Sequence, residues 1–134
     1  MKDIFKPGDT KTYTHKVTEA DVAQFHGEVV HAFYSTYALA RDAEWSSRLF
    51  VLEMKDADEE GIGTFVHVNH HAPALVGDEV LFTATYKTLK GNELICDITV
   101  HAGDRLLATC STGQKIVKKE KLSALAEKLR NRPD

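Results

Sequence analysis

The sequence predicts an α+β fold in which one antiparallel sheet wraps around a single long helix. Three observations carry that expectation. Thr36 to Met54 (TYALARDAEWSSRLFVLEM) is rich in Ala, Leu, Arg and Glu and holds no Gly or Pro. After Gly61 the hydrophobic period changes from helical to two. Turn signals at Pro73 to Asp78, Gly91-Asn92 and Gly103-Asp104 then divide the alternating region into strands. A helix with an apolar stripe and a sheet with an apolar face bury those surfaces against each other.

Each element has its own signal. Lys11 to Val17 (KTYTHKV) is rich in β-formers and predicts the first strand. Thr18 and Asp21 stand at capping-box spacing, with Asp in place of Glu, so a short helix is expected over about 19–26. In the long helix, Tyr37, Ala40, Glu44, Ser47 and Val51 fall roughly on one face, broadened by Leu39, Ala43 and Phe50. The acidic run from Asp56 to Gly61 ends it. Ile62 to His70 alternates, as do Val80, Phe82, Ala84 and Tyr86, then Leu94, Cys96, Ile98 and Val100. Leu106, Ala108 and Cys110 open a last strand that runs to about Lys118. A three-residue loop at Ala102–Asp104 would set Cys96 opposite Cys110. Lys121 to Arg130 reads as an amphipathic helix, with Leu122, Leu125 and Leu129 at helical spacing. A five-stranded antiparallel sheet of this kind leaves an edge strand, and pairing edges across a two-fold axis covers it, so a homodimer is expected.

Composition excludes several classes of function. The 134 residues predict one domain, 1–134, large enough to bury a core without metal or disulfide support. A formal charge of -3 argues against nucleic-acid binding, which needs clustered Lys and Arg. Met1 to Thr10 lacks the apolar core of a signal peptide, and no apolar run approaches the roughly 20 residues of a membrane span, so a cytoplasmic protein is expected. Cys96 and Cys110 have no CxxC spacing, which argues against zinc and against a disulfide scaffold; two reduced, buried thiols are expected.

The candidate chemistry lies on the long helix and the strand after it. Of seven histidines, His67, His70 and His71 cluster at the end of that strand. Strict alternation puts His70 on the face of Ile62, Thr64, Val66 and Val68, and puts His67 and His71 on the other face with Phe65. His70 is therefore the imidazole placed to meet the helix, and the scatter of the three argues against a metal site. Glu44 sits mid-helix on the Tyr37–Val51 stripe. A carboxylate facing a sheet is costly unless partnered, and burial would make it a usable base near neutral pH. A helix rotated slightly would instead leave Glu44 solvated or paired with Arg41 or Arg48. Thr36 opens the helix, where a capping role is its default. Eight residues separate Thr36 from Glu44, which on a continuous helix is about 12 Å of rise and roughly 80° of rotation.

These residues together resemble the fluoroacetyl-CoA thioesterase family of the hotdog superfamily. Thr36 followed eight residues later by Glu44-Trp45 is similar to that family's helix motif. Gly63-Thr64, then His70 and Ala72 to Gly77, is similar to its next motif, and the resemblance runs from Phe5-Lys-Pro-Gly-Asp9 to the last helix. Ser111-Thr112-Gly113-Gln114-Lys115 departs from the Gly-x-His-x-Arg style of ending, and Arg41, Asp42 and Ser46-Ser47 make the helix more polar. The resemblance implies a hotdog fold and hydrolysis of a small acyl-CoA thioester without metal or organic cofactor, CoA being part of the substrate. It implies Thr36, Glu44 and His70 as the catalytic trio and Gly63 as backbone beside the acyl carbonyl. It leaves the acyl group open. A dimer or a dimer of dimers is expected, with no nucleic acid and no membrane as partner. Lys118-Lys119-Glu120-Lys121 could meet the CoA phosphates, or be a solvated helix start. Two other readings belong to the same fold: an acyl-CoA hydratase or dehydratase, poorly matched by Glu28 and His31, and a non-catalytic acyl-CoA binding module.

Overall fold

The structure, a computed structural model, describes residues 1–133. Strand β1 (Thr10–Lys16) leads through a 3-10 turn at Glu19–Asp21 into a hairpin of β2 (Val22–Phe25) and β3 (Glu28–Tyr34). The long helix α1 (Thr36–Met54) follows, then β4 (Glu59–His70), β5 (Glu79–Lys90), β6 (Glu93–Ala102), β7 (Arg105–Lys118) and α2 (Lys119–Arg130). Five strands form one antiparallel sheet in the order β1-β5-β6-β7-β4, and α1 packs across it. This is the expected sheet and helix, with the expected bounds for α1.

The core lies between α1 and the face of the sheet that it packs against. Val80, Phe82 and Ala84 of β5 and Leu94, Cys96, Ile98 and Val100 of β6 are buried, as their alternation predicts. They meet Leu39, Ala43, Phe50, Val51 and Met54 of α1. Full burial of each large apolar side chain contributes about 1.5–3 kcal/mol. Ser35 starts the helix by accepting the Ala38 N–H at 3.1 Å, and the extended Lys55 ends it, its N–H bonded to the Val51 carbonyl at 2.9 Å.

Three expectations need correction. The helix expected over 19–26 is a single 3-10 turn followed by the β2–β3 hairpin. The capping box is real, with Thr18 N–H on Asp21 Oδ2 at 2.9 Å, but only one turn follows it. β-branched Val22, Val29 and Val30 favour extended chain. His26 (φ 53) and Gly27 (φ 80) form the two-residue turn, and positive φ at both positions is what tight hairpins demand. The second correction is the β6–β7 register. The turn has two residues, Gly103 and Asp104, and pairs Ala102 with Arg105. A bulge then admits Leu107 as an extra residue, so Leu107 is buried and Leu106 is exposed. Cys110 consequently lies opposite Ile98, and Cys96 opposite Thr112. Both thiols are free and buried, and burial pushes Cys96 up to about 12 and Cys110 up to about 11.

The third correction sets the site. Gly63 pairs with Gln114 and Phe65 with Gly113, so Thr64 is an extra, bulged residue in β4. A bulge reverses the alternation on either side of itself. Gly61 and Gly63, not Ile62 and Thr64, therefore share the helix-facing side with Val68 and His70. A Cβ on Gly61 would come 2.7 Å from Val51 Cγ1, which makes glycine the residue that lets α1 lie this close to β4. α2 is the helix expected over 121–130, starting two residues earlier, and Leu125 and Leu129 are each 52% exposed, so its apolar stripe lies outside the core.

Candidate active site

Two contacts between α1 and β4 gather the sequence-predicted residues into pairs. Thr36 is the first residue of α1, and Ser35 already supplies the cap, so the Thr36 hydroxyl is released from that role. It lies 2.9 Å from His70 Nδ1 at the far end of β4. The second pair is Glu44 over Gly63. A Cβ on Gly63 would stand 3.1 Å from Glu44 Oε1 and 3.3 Å from Oε2, so the carboxylate lies directly on this strand. Glu44 is half-buried. Neither alternative partner takes it, because Arg48 binds Glu60 at 2.9 Å and Arg41 binds Asp21 and Asp42. Within one chain the trio is thus two pairs, about 12 Å apart along the helix by its rise. Among the described residues no hydrogen bond joins the Glu44 carboxylate to Thr36 or His70.

His70 is the electrostatically unusual member. Its Nε2 is buried with no hydrogen-bond partner among the described residues. Burial holds the imidazole below its ordinary value of about 6.5. At neutral pH it is uncharged, with one nitrogen engaged by Thr36 and the other open. That ring, with His31, Phe33, Thr36, His71 and Pro73, lines a pocket of about 260 Å³. A groove of about 300 Å³ on the other side of the sheet, lined by His67, Asn69, Asp97, Thr99, Thr109 and Ser111, contains none of the site residues. Among the described residues no group of three metal-ligating side chains converges.

Two buried polar networks beside the site escaped the sequence reading. Behind Glu44, the Ser47 hydroxyl donates to the Glu44 carbonyl at 2.9 Å. It accepts from Thr112 Oγ1 at 2.9 Å and from Gln114 Nε2 at 2.8 Å. Gln114 Nε2 also lies 3.3 Å from the Glu44 carbonyl. Ser47, Thr112 and Gln114 are all buried, so this turn of α1 is tied to β7 by bonds that would be costly to break. The polar helix residues Asp42 and Ser46-Ser47 were the available signal, but only the fold reveals their partners.

The second network pins the start of α1 to β1. Arg41 Nη2 binds Asp21 Oδ1 at 2.9 Å and Asp42 Oδ2 at 3.0 Å, and its Nε donates to Asp42 Oδ1 at 3.0 Å. His15 Nε2 lies 2.7 Å from Asp21 Oδ2, and the Tyr34 hydroxyl donates to Asp42. Burial alone would raise the Asp21 carboxyl, but Arg41, the Thr18 N–H and His15 together hold it well below the usual carboxylate range. Burial and then the Asp42 bond push the Tyr34 phenol far above its ordinary range. His15, which showed no partner in the sequence, gains one because β1 and the 3-10 turn converge there.

A five-stranded antiparallel sheet packed across one long helix is the hotdog arrangement. The structure is similar to that of a thioesterase superfamily member of Thermus thermophilus, with 29% identity, 95% of this chain and 94% of that chain covered, and a TM-score of 0.90. It is similar to a hot-dog-like protein of Thermanaerovibrio acidaminovorans, with 21% identity, 97% and 96% covered, and a TM-score of 0.87. It is also similar to the fluoroacetyl-CoA thioesterase FlK, with 19% identity, 98% and 100% covered, and a TM-score of 0.84. No curated protein matches the chain in sequence. Residues 17–120 match the family of the fluoroacetyl-CoA-specific thioesterase FlK, and the chain belongs to that family. It is accordingly an acyl-CoA thioesterase.

Proposed function

We propose that the chain hydrolyses a small acyl-CoA thioester to the free acid and CoA, using Thr36, Glu44 and His70, with Gly63 as backbone beside the acyl carbonyl. The observation that carries this reading is the buried, unpartnered Nε2 of His70. A buried polar nitrogen left open costs stability, and a site that keeps one in a pocket wall is poised for a group arriving from outside. Glu44 acts as base for a water or as attacking carboxylate. His70, oriented by Thr36 and uncharged, hydrogen-bonds the reacting groups, takes up the proton released by the attacking water and passes it to the departing thiolate. No metal or organic cofactor enters this scheme. CoA is supplied by the substrate; crystal structures of FlK variants hold acetyl-CoA, or fluoroacetate with CoA.

The working unit in this reading is a homodimer, or a dimer of such dimers, joined along β4. β4 is a sheet edge of 12 residues, against seven in the other edge strand, β1. Long unpaired edges are normally covered. Antiparallel pairing of two β4 strands across a two-fold axis sets the first half of one strand beside the second half of the other. Gly63, with Glu44 above it, then comes beside the strand end that carries His70 in the other copy. The trio closes across the seam: Glu44 from one protomer, Thr36 and His70 from its partner. Among the described residues no helix is long and apolar enough to cross a membrane. The two free thiols fit a reducing cytoplasm as the place of action.

The test replaces Glu44→Gln and His70→Ala and measures short acyl-CoA hydrolysis. A fall of at least about 100-fold in kcat/KM is expected for each, with the fold retained. Wild-type rates in both variants would remove the assignment. Single turnover in labelled water tests the attacking role of Glu44, since label left in the protein marks an acyl-Glu44 anhydride opened at the Glu44 carbonyl.

A further inference from the structure

The site pocket contains an imidazole that the hydrolytic scheme does not use. His31 stands on β3 and lines the same pocket as Thr36 and His70. Its Nδ1 accepts the backbone N–H of Phe33 at 3.1 Å. That bond selects the tautomer: a neutral His31 must carry its proton on Nε2. Among the described residues Nε2–H has no acceptor. The Phe33 ring, with its centroid 5.6 Å from that of His31, braces the imidazole, and Phe33 is itself bridged to Leu75. The pocket lining thus presents one oriented donor, exposed and free of any protein acceptor among the described residues.

The remaining lining decides what that donor would meet. Phe33, Ala72 and Pro73 supply apolar surface, and among the described lining residues there is no lysine, arginine or carboxylate. A charged acyl substituent would find no fixed counter-ion among these residues. An uncharged oxygen needs no counter-ion and can accept the hydrogen bond that His31 Nε2–H offers. A volume of about 260 Å³ suits a chain of a few carbons.

We propose that this pocket takes a short acyl chain carrying an uncharged hydrogen-bond-accepting oxygen, a hydroxyl or a keto group, and that His31 selects it through Nε2–H. The inference deepens the hydrolase reading by naming its substrate class, and it rests on that reading for the position of the thioester at Thr36 and His70. His31 touches the substituent and not the scissile bond, so it sets specificity.

The experiment compares butyryl-, 3-hydroxybutyryl-, acetoacetyl- and succinyl-CoA, which share a four-carbon chain, in the wild type and in His31→Leu and His31→Gln. The wild type is expected to favour the hydroxy and keto substrates over butyryl-CoA by about 10-fold in kcat/KM, the discrimination one hydrogen bond supplies. His31→Leu abolishes that preference while butyryl-CoA turnover holds. His31→Gln restores most of it, because its amide N–H reaches the position of Nε2–H. An equal loss on all four substrates in His31→Leu overturns the proposal, as does a wild-type preference for butyryl- or succinyl-CoA. Calorimetric binding of the same four ligands to Glu44→Gln separates this inference from the one beneath it. A protein that hydrolyses none of them but binds them in the proposed order keeps the His31 assignment and breaks the hydrolase reading. A flat binding order breaks the His31 assignment whatever the rates.

Discussion

Two polar clusters flank the first turns of α1, and they are built on opposite principles. The cluster of Asp21, Arg41, Asp42, His15 and Tyr34 is closed: the carboxylates of Asp21 and Asp42 are both met by the Arg41 guanidinium, and Tyr34 and His15 complete them. The cluster of Thr36 and His70 is open: one imidazole nitrogen is held and the other is buried without a partner. Both carry polar atoms out of water. Only the second leaves something for a ligand to supply. A closed network is a strap that sets where the helix begins, while an open one is a socket.

Breaking the strap should cost stability first. Asp42→Ala strips Arg41 of its second carboxylate and leaves the buried Tyr34 hydroxyl without an acceptor. A loss of about 2–4 kcal/mol is expected in urea unfolding, reduced from the value of a fully buried pair because Arg41 is partly exposed. A change under about 0.5 kcal/mol would mean that the strap is decorative. Disturbing the Glu44–Gly63 pair, which the proposed mechanism joins to the socket, should do the reverse. Gly63→Ala places a methyl 3.1 Å from Glu44 Oε1, so the carboxylate must shift; kcat should fall about 10-fold with thermal stability nearly unchanged. An unaltered kcat would detach Glu44 from Gly63 in the mechanism.

The smallest expected effect is on pH. Burial lowers the His70 value below the ordinary imidazole range, so the folded state resists a proton that the unfolded chain takes up below about pH 6.5. His70 therefore contributes stability fully above that pH and loses it progressively as pH falls toward its folded value. The acidic limb of kcat/KM should lie below 6.5 for the same reason. An acidic limb centred above 6.5 in the free enzyme would assign it to another group.

The two clusters were not equally legible in the sequence. The sheet was read well where burial follows strict alternation, as in Val80, Phe82, Ala84 and Tyr86. It was misread where a single extra residue enters a strand. Thr64 and Leu107 are such residues, and neither bears a local mark that distinguishes it from its neighbours. The β2–β3 hairpin was missed because the capping box at Thr18 and Asp21 is genuine and stops after one turn. Thr36, Glu44, Gly63 and His70 were named by motif spacing, and the fold pairs them as Thr36 with His70 and Glu44 with Gly63. The strap was invisible, because His15, Asp21 and Asp42 meet only in three dimensions. So was the bond from the Phe33 N–H that fixes the His31 tautomer.

The division of the trio into two pairs makes the seam between protomers the decisive place to look. Glu44→Gln and His70→Ala chains, each inactive alone, should be co-expressed so that they pair at random. If Glu44 of one copy serves the Thr36–His70 pair of the other, each mixed dimer holds one intact site, and about a quarter of wild-type activity per protomer returns. If every site is built within a single chain, the mixture stays as inactive as its components, and the account of a crevice shared across β4 is contradicted.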